Sequence, residues 1–206
     1  MHFPIHSSFT LAAFSFLLSA CSESFTDSRD GQSYDVVKVG NLTWMAENLN
    51  YATAGSFCPE GDARNCKRLG RLYSWAEARS VCPGGWRLPT KENFESLVAA
   101  QSSSQSLDGN PGAVSNEAGA KLKSRDGWFK KGNGSDEFGF NALPAGYRVA
   151  DGKFDGIGGY AYFWSATEDA ENPESNAYYL FLSFSSDEAS LNAFAKEDYR
   201  SVRCVR

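Results

Sequence analysis

The sequence predicts an α+β domain in which two helices pack on small, irregular antiparallel sheets joined by long loops. Helical periodicity occurs twice in the first half of the chain, in GRLYSWAEARSVC at 70–82 and in WRLPTKENFESLVAAQ at 86–101. The second half is aromatic and strand-like, and strand patterns lie near both ends of the chain. A small sheet closed by its own ends fits these patterns better than an alternating βαβ order.

The first strands form a predicted hairpin in YDVVKVGNLTWMAENL at 34–49. Gly40 and Asn41 separate its two apolar runs, and these residue types favour a tight turn between antiparallel strands. The first predicted helix follows at 69–82, with its charges on the opposite face. Its apolar face consists of Leu69, Leu72, Tyr73, Ala76 and Ser80.

The second predicted helix begins at Thr90, a good N-cap residue, and Glu92 suits its first turn. Its buried stripe consists of Phe94, Leu97 and Val98. Residues 101–118 are rich in Ser, Asn and Gly and predict a loop, and NEAGAKLKS at 116–124 predicts a short helix. In AYYLFLSFS at 177–185 the alternation predicts a strand that is buried on at least one face.

The N-terminus predicts export and lipid attachment. The apolar run 9–20 has the length of a signal-peptide core and is too short to span a bilayer. Leu18-Ser19-Ala20-Cys21 resembles the bacterial lipobox, although no Lys or Arg precedes it, and a plain secretory signal stays open. We expect a signal peptide at 1–20, a lipid on Cys21, a polar tether at 21–29 and a domain at 30–206, held at the outer membrane or cell surface.

The composition excludes several classes of function. His2 and His6 leave with the signal, so the mature chain has no imidazole for a Ser-His or Cys-His pair or a zinc site. The net charge is −5 and the basic residues are scattered, which argues against nucleic acid as a partner. We expect no catalytic residues, no metal and no cofactor.

Four cysteines are left when Cys21 is assigned to lipid. An exported chain favours disulfides over free thiols. The short spacing of Cys58 and Cys66 predicts a local bridge, which leaves Cys82 to pair with Cys204. Four thiolates around zinc are disfavoured because no C-x2-C motif occurs.

Seven segments carry a family resemblance. DGQSYDVVKVGNLTWMAENLNY, GRLYSWAEA, CPGGWRLPTKENFESL, GFNALPAGYR, YFWSATE, AYYLFLSF and SVRCVR, in this order, resemble the Fibrobacter succinogenes major paralogous domain over residues 30–206. That family is similar to the C-type-lectin-like fold and to the formylglycine-generating enzyme, which implies a fold rather than an activity. The enzyme's reactive cysteine pair is missing from the C-terminal half of this chain. The calcium-binding motifs of classical lectins are also missing, since Glu171-Asn172-Pro173 contains the residues of the Glu-Pro-Asn motif in a different order.

The aromatic residues, 14% of the chain, supply the remaining candidates. Most are expected to fill the core, including Trp44, Trp75, Trp86 and Trp164. Other rings stand among Gly and Asp in predicted loops, where an exposed ring beside carboxylates could stack on a sugar. The candidate ligand-binding residues are Trp128, Phe154 and Tyr160, with Asp126 and Asp155 as polar partners.

The sequence favours a non-catalytic surface module that binds a glycan or a surface protein through its loops. A structural envelope lipoprotein without a small ligand is the main alternative, and a divergent enzyme of the formylglycine-generating type is the third. The acidic segment TEDAENPE at 167–174 has no apolar flank to raise a carboxyl pKa, so a solvated loop is expected there rather than a glycosidase pair.

Overall fold

A computed structural model of the chain describes residues 23–101 and 117–206. The predicted signal peptide and Cys21 lie outside the described residues, as does most of the loop predicted at 101–118. Within the two described ranges the chain forms short helices and small antiparallel sheets, so the predicted α+β class is confirmed. None of the helices in these ranges is long and apolar enough to cross a bilayer.

Ten strands and four helices are formed by the described residues. The strands are β1 (Glu23–Thr26), β2 (Ser33–Val39), β3 (Leu42–Met45), β4 (Tyr73–Ser74), β5 (Ala145–Arg148), β6 (Phe154–Ile157), β7 (Tyr160–Glu168), β8 (Asn176–Ser183), β9 (Ala189–Ala195) and β10 (Tyr199–Arg200). The helices are α1 (Ala63–Leu69), α2 (Trp75–Ala78), α3 (Lys91–Ala100) and α4 (Ala118–Leu122).

The strands form three antiparallel sheets, in the orders β1-β2-β3, β4-β10-β5-β6 and β7-β8-β9. The predicted hairpin is confirmed, since β2 and β3 are joined at Gly40 and Asn41. The C-terminus closes the fold, because the backbones of Thr43 and Arg206 exchange two hydrogen bonds of 2.8 and 2.9 Å. The C-terminal residue therefore pairs with a strand of the N-terminal hairpin, in line with the predicted closure of the sheet.

The second predicted helix is confirmed and the first is wrong over most of its length. The hydroxyl of Thr90 accepts a hydrogen bond from the Asn93 amide, and the Asn93 side chain accepts one from the Thr90 amide, so α3 begins where predicted. Within the segment predicted as the first helix, Tyr73 lies in β4 and pairs with Arg200 of β10. Only α2, a single turn, is helical there. The unpredicted α1 precedes it, capped by the Asp62 carboxylate.

The expected tether at 21–29 is structured from Glu23 onward. β1 pairs along its whole length with β2, and the Phe25 ring lies 5.1 Å from the Trp86 ring. The buried Asp27 carboxylate binds the Arg29 guanidinium at 2.6 Å. Strand pairing and this buried ion pair hold residues 23–29 against the first sheet.

Two large cores and one small one lie between the sheets. The first core packs α3 and α4 on the inner face of β7-β8-β9, around Phe94, Phe163 and Leu180. The second lies around Met45 and Trp164, and the third around Leu72. The four tryptophans expected in the core are all buried: Trp44, Trp75, Trp86 and Trp164.

Both predicted disulfides form, Cys58–Cys66 and Cys82–Cys204. The second ties the C-terminal strand to the segment before α3, across a sequence separation of 122. Beside it, the fully buried Arg203 donates hydrogen bonds to the Asn48 side chain at 2.7 Å and to the Asn141 carbonyl at 2.7 Å. Burial lowers the pKa of Arg203 to about 9, so the guanidinium still carries its charge at neutral pH.

Candidate functional site

Trp128 is part of the core, so the prediction that its ring is exposed is wrong. The side chain is 5% exposed and packs in the first core. Its indole nitrogen donates to the Ser124 hydroxyl at 3.0 Å and to the Ala142 carbonyl at 3.2 Å. Because the polar edge of the ring has partners inside the protein, Trp128 holds its own loop and offers no face to a ligand.

In the described part of the chain, the side chains of Phe154 and Asp126 make no hydrogen bond, ion pair or ring contact with Tyr160 or with the rings packed around it. Phe154 is half-buried against the third core, where its ring lies 5.7 Å from the Arg148 guanidinium. Asp126 is exposed at the mouth of a cleft of about 290 Å³ that also contains Arg68 and Gly158. Neither residue belongs to the aromatic cluster around Tyr160.

Tyr160 and Asp155 are the two predicted site residues that the structure brings together. Asp155 is exposed on β6, and the next residue is Gly156. A Cβ atom at Gly156 would lie 2.8 Å from Cδ2 of Tyr160, so the tyrosine ring rests directly on glycine backbone. On the other side Asp155 pairs in register with Tyr147 of β5.

Tyr160 belongs to a continuous row of half-buried rings. Its ring centroid lies 5.7 Å from that of Phe181 and 6.0 Å from that of Phe184. Tyr162 then links the row to Tyr147, Tyr179 and Phe181 at 5.0, 5.6 and 5.0 Å. We call this row the aromatic strip, and it consists of Tyr147, Tyr160, Tyr162, Tyr179, Phe181 and Phe184.

Strand alternation places most of these rings on one face of a sheet. Successive side chains of a strand point to opposite faces, and residues paired across antiparallel strands share a face. Tyr162 pairs with Phe181, and the intervening Phe163 pairs with Leu180 and points into the first core. The face of β7 and β8 opposite the first core therefore carries Tyr160, Tyr162, Tyr179 and Phe181. At the end of this face Trp164 is buried in the second core, and Tyr179 packs against that core.

Polar groups border the aromatic strip on two sides. On β9, Ser190 pairs with Phe181 and Asn192 pairs with Tyr179, so both share the face of the strip. The Asn192 side chain donates to the Ser190 hydroxyl at 3.0 Å. Together with Asp155 on the opposite side, these residues supply hydrogen-bonding groups beside an apolar surface.

A buried ion pair lies under one end of the strip. The Arg200 guanidinium lies 4.5 Å from the Tyr179 ring and 3.3 Å from the Asp198 carboxylate. Burial raises the pKa values of Tyr162 and Tyr179, so their hydroxyls stay protonated at neutral pH. These hydroxyls can donate hydrogen bonds but cannot act as bases.

Three carboxylates in the acidic loops of the described chain are engaged in local contacts. Glu168 binds Lys196 at 3.0 Å, and Asp169 accepts a hydrogen bond from the Glu171 amide. Lys153 binds Asp151 at 2.8 Å and lowers the pKa of that carboxyl. No group of three or more His, Cys, Asp or Glu within residues 23–101 and 117–206 is arranged to hold a metal ion.

Sequence reasoning found Tyr160 and Asp155 but missed the rest of the strip. The alternation in YAYFW at 160–164 marks Tyr162 as a neighbour of Tyr160 on the same face. Tyr147 had no such signal, because it lies on a strand of a different sheet.

Comparison with known proteins gives one family match. A family model described as the Fibrobacter succinogenes major domain matches residues 37–206, a range that contains both disulfides and the whole aromatic strip. No curated protein and no solved structure matches the chain.

Proposed function

The chain belongs to the Fibrobacter succinogenes major domain family, and from that premise we propose that it is a non-catalytic surface module that binds a carbohydrate on its aromatic strip. The strip lies on a sheet face rather than in the loops where the sequence favoured a site. The family match identifies the domain, whereas the class of ligand is inferred from the side chains of the strip.

The observation that carries this proposal is a row of six half-buried rings bordered by hydrogen-bonding groups. The apolar faces of sugar rings stack on aromatic side chains, while their hydroxyls need polar partners at the edge of the stack. Ring centroids of neighbouring members of the strip lie 5.0 to 6.2 Å apart. The rings therefore form one continuous surface on which a sugar could stack.

The absence of catalysis is part of the proposal. The mature chain without residues 1–20 contains no histidine, and burial raises the pKa values of Tyr147, Tyr162 and Tyr179 in the strip. Asp155 is exposed beside the strip, so its carboxylate is open to solvent and available to a sugar hydroxyl. The arrangement supports binding of a sugar and offers no pair of groups to cleave it.

We also propose that the scaffold is a C-type-lectin-like fold. This assignment is supported by the C-terminal residue paired with β3, the short antiparallel sheets, the packing of α3 and α4 on β7-β8-β9, and two disulfides. In this arrangement the disulfide-tied core would hold the outer face of β7-β8-β9 rigid. A rigid site loses less conformational entropy when it binds its ligand.

The module is proposed to be a lipoprotein of the outer envelope, anchored at Cys21. The lipobox-like sequence supports the lipid anchor. The residue after the cysteine is Ser22, whereas an aspartate at that position would resemble the pattern that retains lipoproteins at the inner membrane. Cys21→Ala is expected to move the protein from the membrane fraction to the soluble fraction in cell fractionation. Equal membrane retention of both forms would contradict the anchor.

Carbohydrate binding is tested on the purified Cys21→Ala protein with an array of oligosaccharides and envelope and plant polysaccharides. Tyr160→Ala and Phe181→Ala are each expected to weaken binding about tenfold, because each removes a stacking surface. Phe138→Ala is the matched control, since this ring is 36% exposed and lies outside the strip. Equal binding by all four proteins, or no carbohydrate bound by any, would overturn the proposal.

A surface protein is the second candidate ligand, favoured by two rings outside the strip. Phe129 is 54% exposed and Phe194 is 57% exposed. Exposed phenylalanines are typical anchors of protein interfaces. A protein ligand of this kind would be lost in Phe129→Ser and Phe194→Ser and retained in Tyr160→Ala, the reverse of the result expected for a sugar.

A further inference from the structure

The aromatic strip continues into a basic turn at the Phe184 end. The ring of Phe129 lies 6.2 Å from that of Phe184, and it is followed by the exposed Lys130 and Lys131. The Lys130 ammonium lies 5.2 Å from the Phe184 ring. Two positive charges therefore stand where the row of rings ends.

Backbone hydrogen bonds fix this turn against the sheet. The Phe129 amide donates to the Gly158 carbonyl at 2.7 Å, and the Gly132 amide donates to the Phe129 carbonyl at 3.0 Å. A Cβ atom at Gly132 would lie 2.5 Å from the Phe184 carbonyl oxygen, so the turn packs directly on the end of β8. The lysines are held at the strip by a well-bonded backbone.

The two lysines have no ion-pair partner among the described residues. The nearby Lys123 differs, because it is buried and its ammonium binds the Ser183 and Ser186 carbonyls and the Asp187 carboxylate. Asp187 is thus already engaged by another cation. Lys130 and Lys131 therefore present charge to the solvent beside the strip.

Two carboxylates that follow the turn in the sequence are engaged by other groups. Asp136 accepts a hydrogen bond from the Asn141 amide at 2.6 Å, and Glu137 lies 4.0 Å from the Lys121 ammonium. Asp155 is exposed and pairs in register with Tyr147 of β5. The strip thus has an acidic border at Asp155 and a basic one at Lys130.

We propose that the ligand of the strip is an acidic polysaccharide, whose sugar rings stack on Tyr160 and Phe181 while a uronate carboxylate pairs with Lys130 and Lys131. This inference rests on the proposed carbohydrate function and adds the charge of the ligand. Ammonium groups bind carboxylates as point charges, and exposed pairs are weakened by salt. Binding to such a ligand is therefore salt-dependent, and binding to its neutral form is not.

The test compares an oligogalacturonate with its methyl ester, which has the same ring and no charge. Calorimetry on the Cys21→Ala protein is expected to show the acid binding about 3- to 10-fold more tightly than the ester at low salt. K130Q/K131Q is expected to abolish this preference and leave ester binding unchanged. K38Q/K67Q, which removes two exposed lysines elsewhere, is expected to keep it.

The other outcomes show whether the acidic ligand alone fails or carbohydrate binding fails as well. Equal binding of acid and ester, or a preference that survives in K130Q/K131Q, overturns the acidic ligand and leaves carbohydrate binding standing. Binding to other, neutral glycans without binding to oligogalacturonate does the same. Failure to bind any carbohydrate overturns both proposals. Thermal unfolding of each variant checks that the fold is intact.

Discussion

Tyr34 shows how a single buried hydroxyl makes the stability depend on pH. Its side chain is 3% exposed, and its hydroxyl accepts a hydrogen bond from the Asn50 amide at 3.1 Å. Burial raises the pKa of Tyr34 to about 12, above the ordinary value of 10.0. The folded state therefore holds this proton more tightly, and the stabilisation is present below pH 10 and lost as the pH rises towards 12.

The test measures the free energy of unfolding of the wild type and of Tyr34→Phe in urea at pH 8 and at pH 11. Between these pH values the wild type is expected to lose about 1 kcal/mol more stability than the variant, because only it has this proton to release. Other buried groups titrate in both proteins and cancel in the comparison. An equal loss in the two proteins would contradict the stated cause.

Single residues also show why two similar loop contexts lead to different burial, with Tyr160 half-buried and Trp128 buried. Both rings stand among Gly and Asp, and this local composition indicates a loop. The Trp128 indole is buried because Ser124 and Ala142 provide acceptors for its nitrogen. Nothing within the loop itself identifies those acceptors, so its burial could not be predicted from composition.

Among the elements, α3 was predictable because its signals are local. Its cap consists of Thr90 and Asn93, and its apolar stripe has helical spacing. The segment at 70–82 has a similar spacing, but Tyr73 and Ser74 form β4 by pairing with β10 from the end of the chain. A contact over such a sequence distance overrides weak helical propensity and cannot be predicted from periodicity.

The cap of α3 makes a prediction at the element scale. Thr90→Ala removes the hydroxyl that accepts the Asn93 amide hydrogen bond at 3.3 Å. We expect a loss of about 1 kcal/mol in the free energy of unfolding, measured by urea denaturation. Thr90→Ser keeps the acceptor and should lose much less. Equal losses in the two variants would mean that the cap does not stabilise α3.

At the scale of the whole molecule, the two disulfides should differ in their contribution to stability. Cys82–Cys204 closes a far longer loop than Cys58–Cys66, with separations of 122 and 8 residues. In the chain-entropy model, removing the first as C82A/C204A should cost about 5 kcal/mol, and removing the second as C58A/C66A about 2 to 3 kcal/mol. Urea unfolding measures both, and the reverse order would contradict loop entropy as the main cause.

The candidate site also belongs to the whole molecule, since no single segment contains it. Tyr160 and Phe181 come from neighbouring strands of one sheet, and Tyr147 comes from another sheet. The sequence marks each ring as apolar and strand-like, but the meeting of the two sheets decides which rings form one surface. This is why only Tyr160 of the five predicted ligand residues belongs to the strip, with Asp155 at its border, while the other three lie outside it: Trp128, Phe154 and Asp126.

The most direct test of the account is an NMR titration of the Cys21→Ala protein, labelled on its aromatic rings, with whichever oligosaccharide binds most tightly. The account predicts that ring resonances of Tyr160, Tyr162 and Phe181 shift with ligand concentration, while those of Phe138 and the buried Trp44 stay in place. Shifts confined to residues outside the aromatic strip, or no shifts with any oligosaccharide, would contradict it.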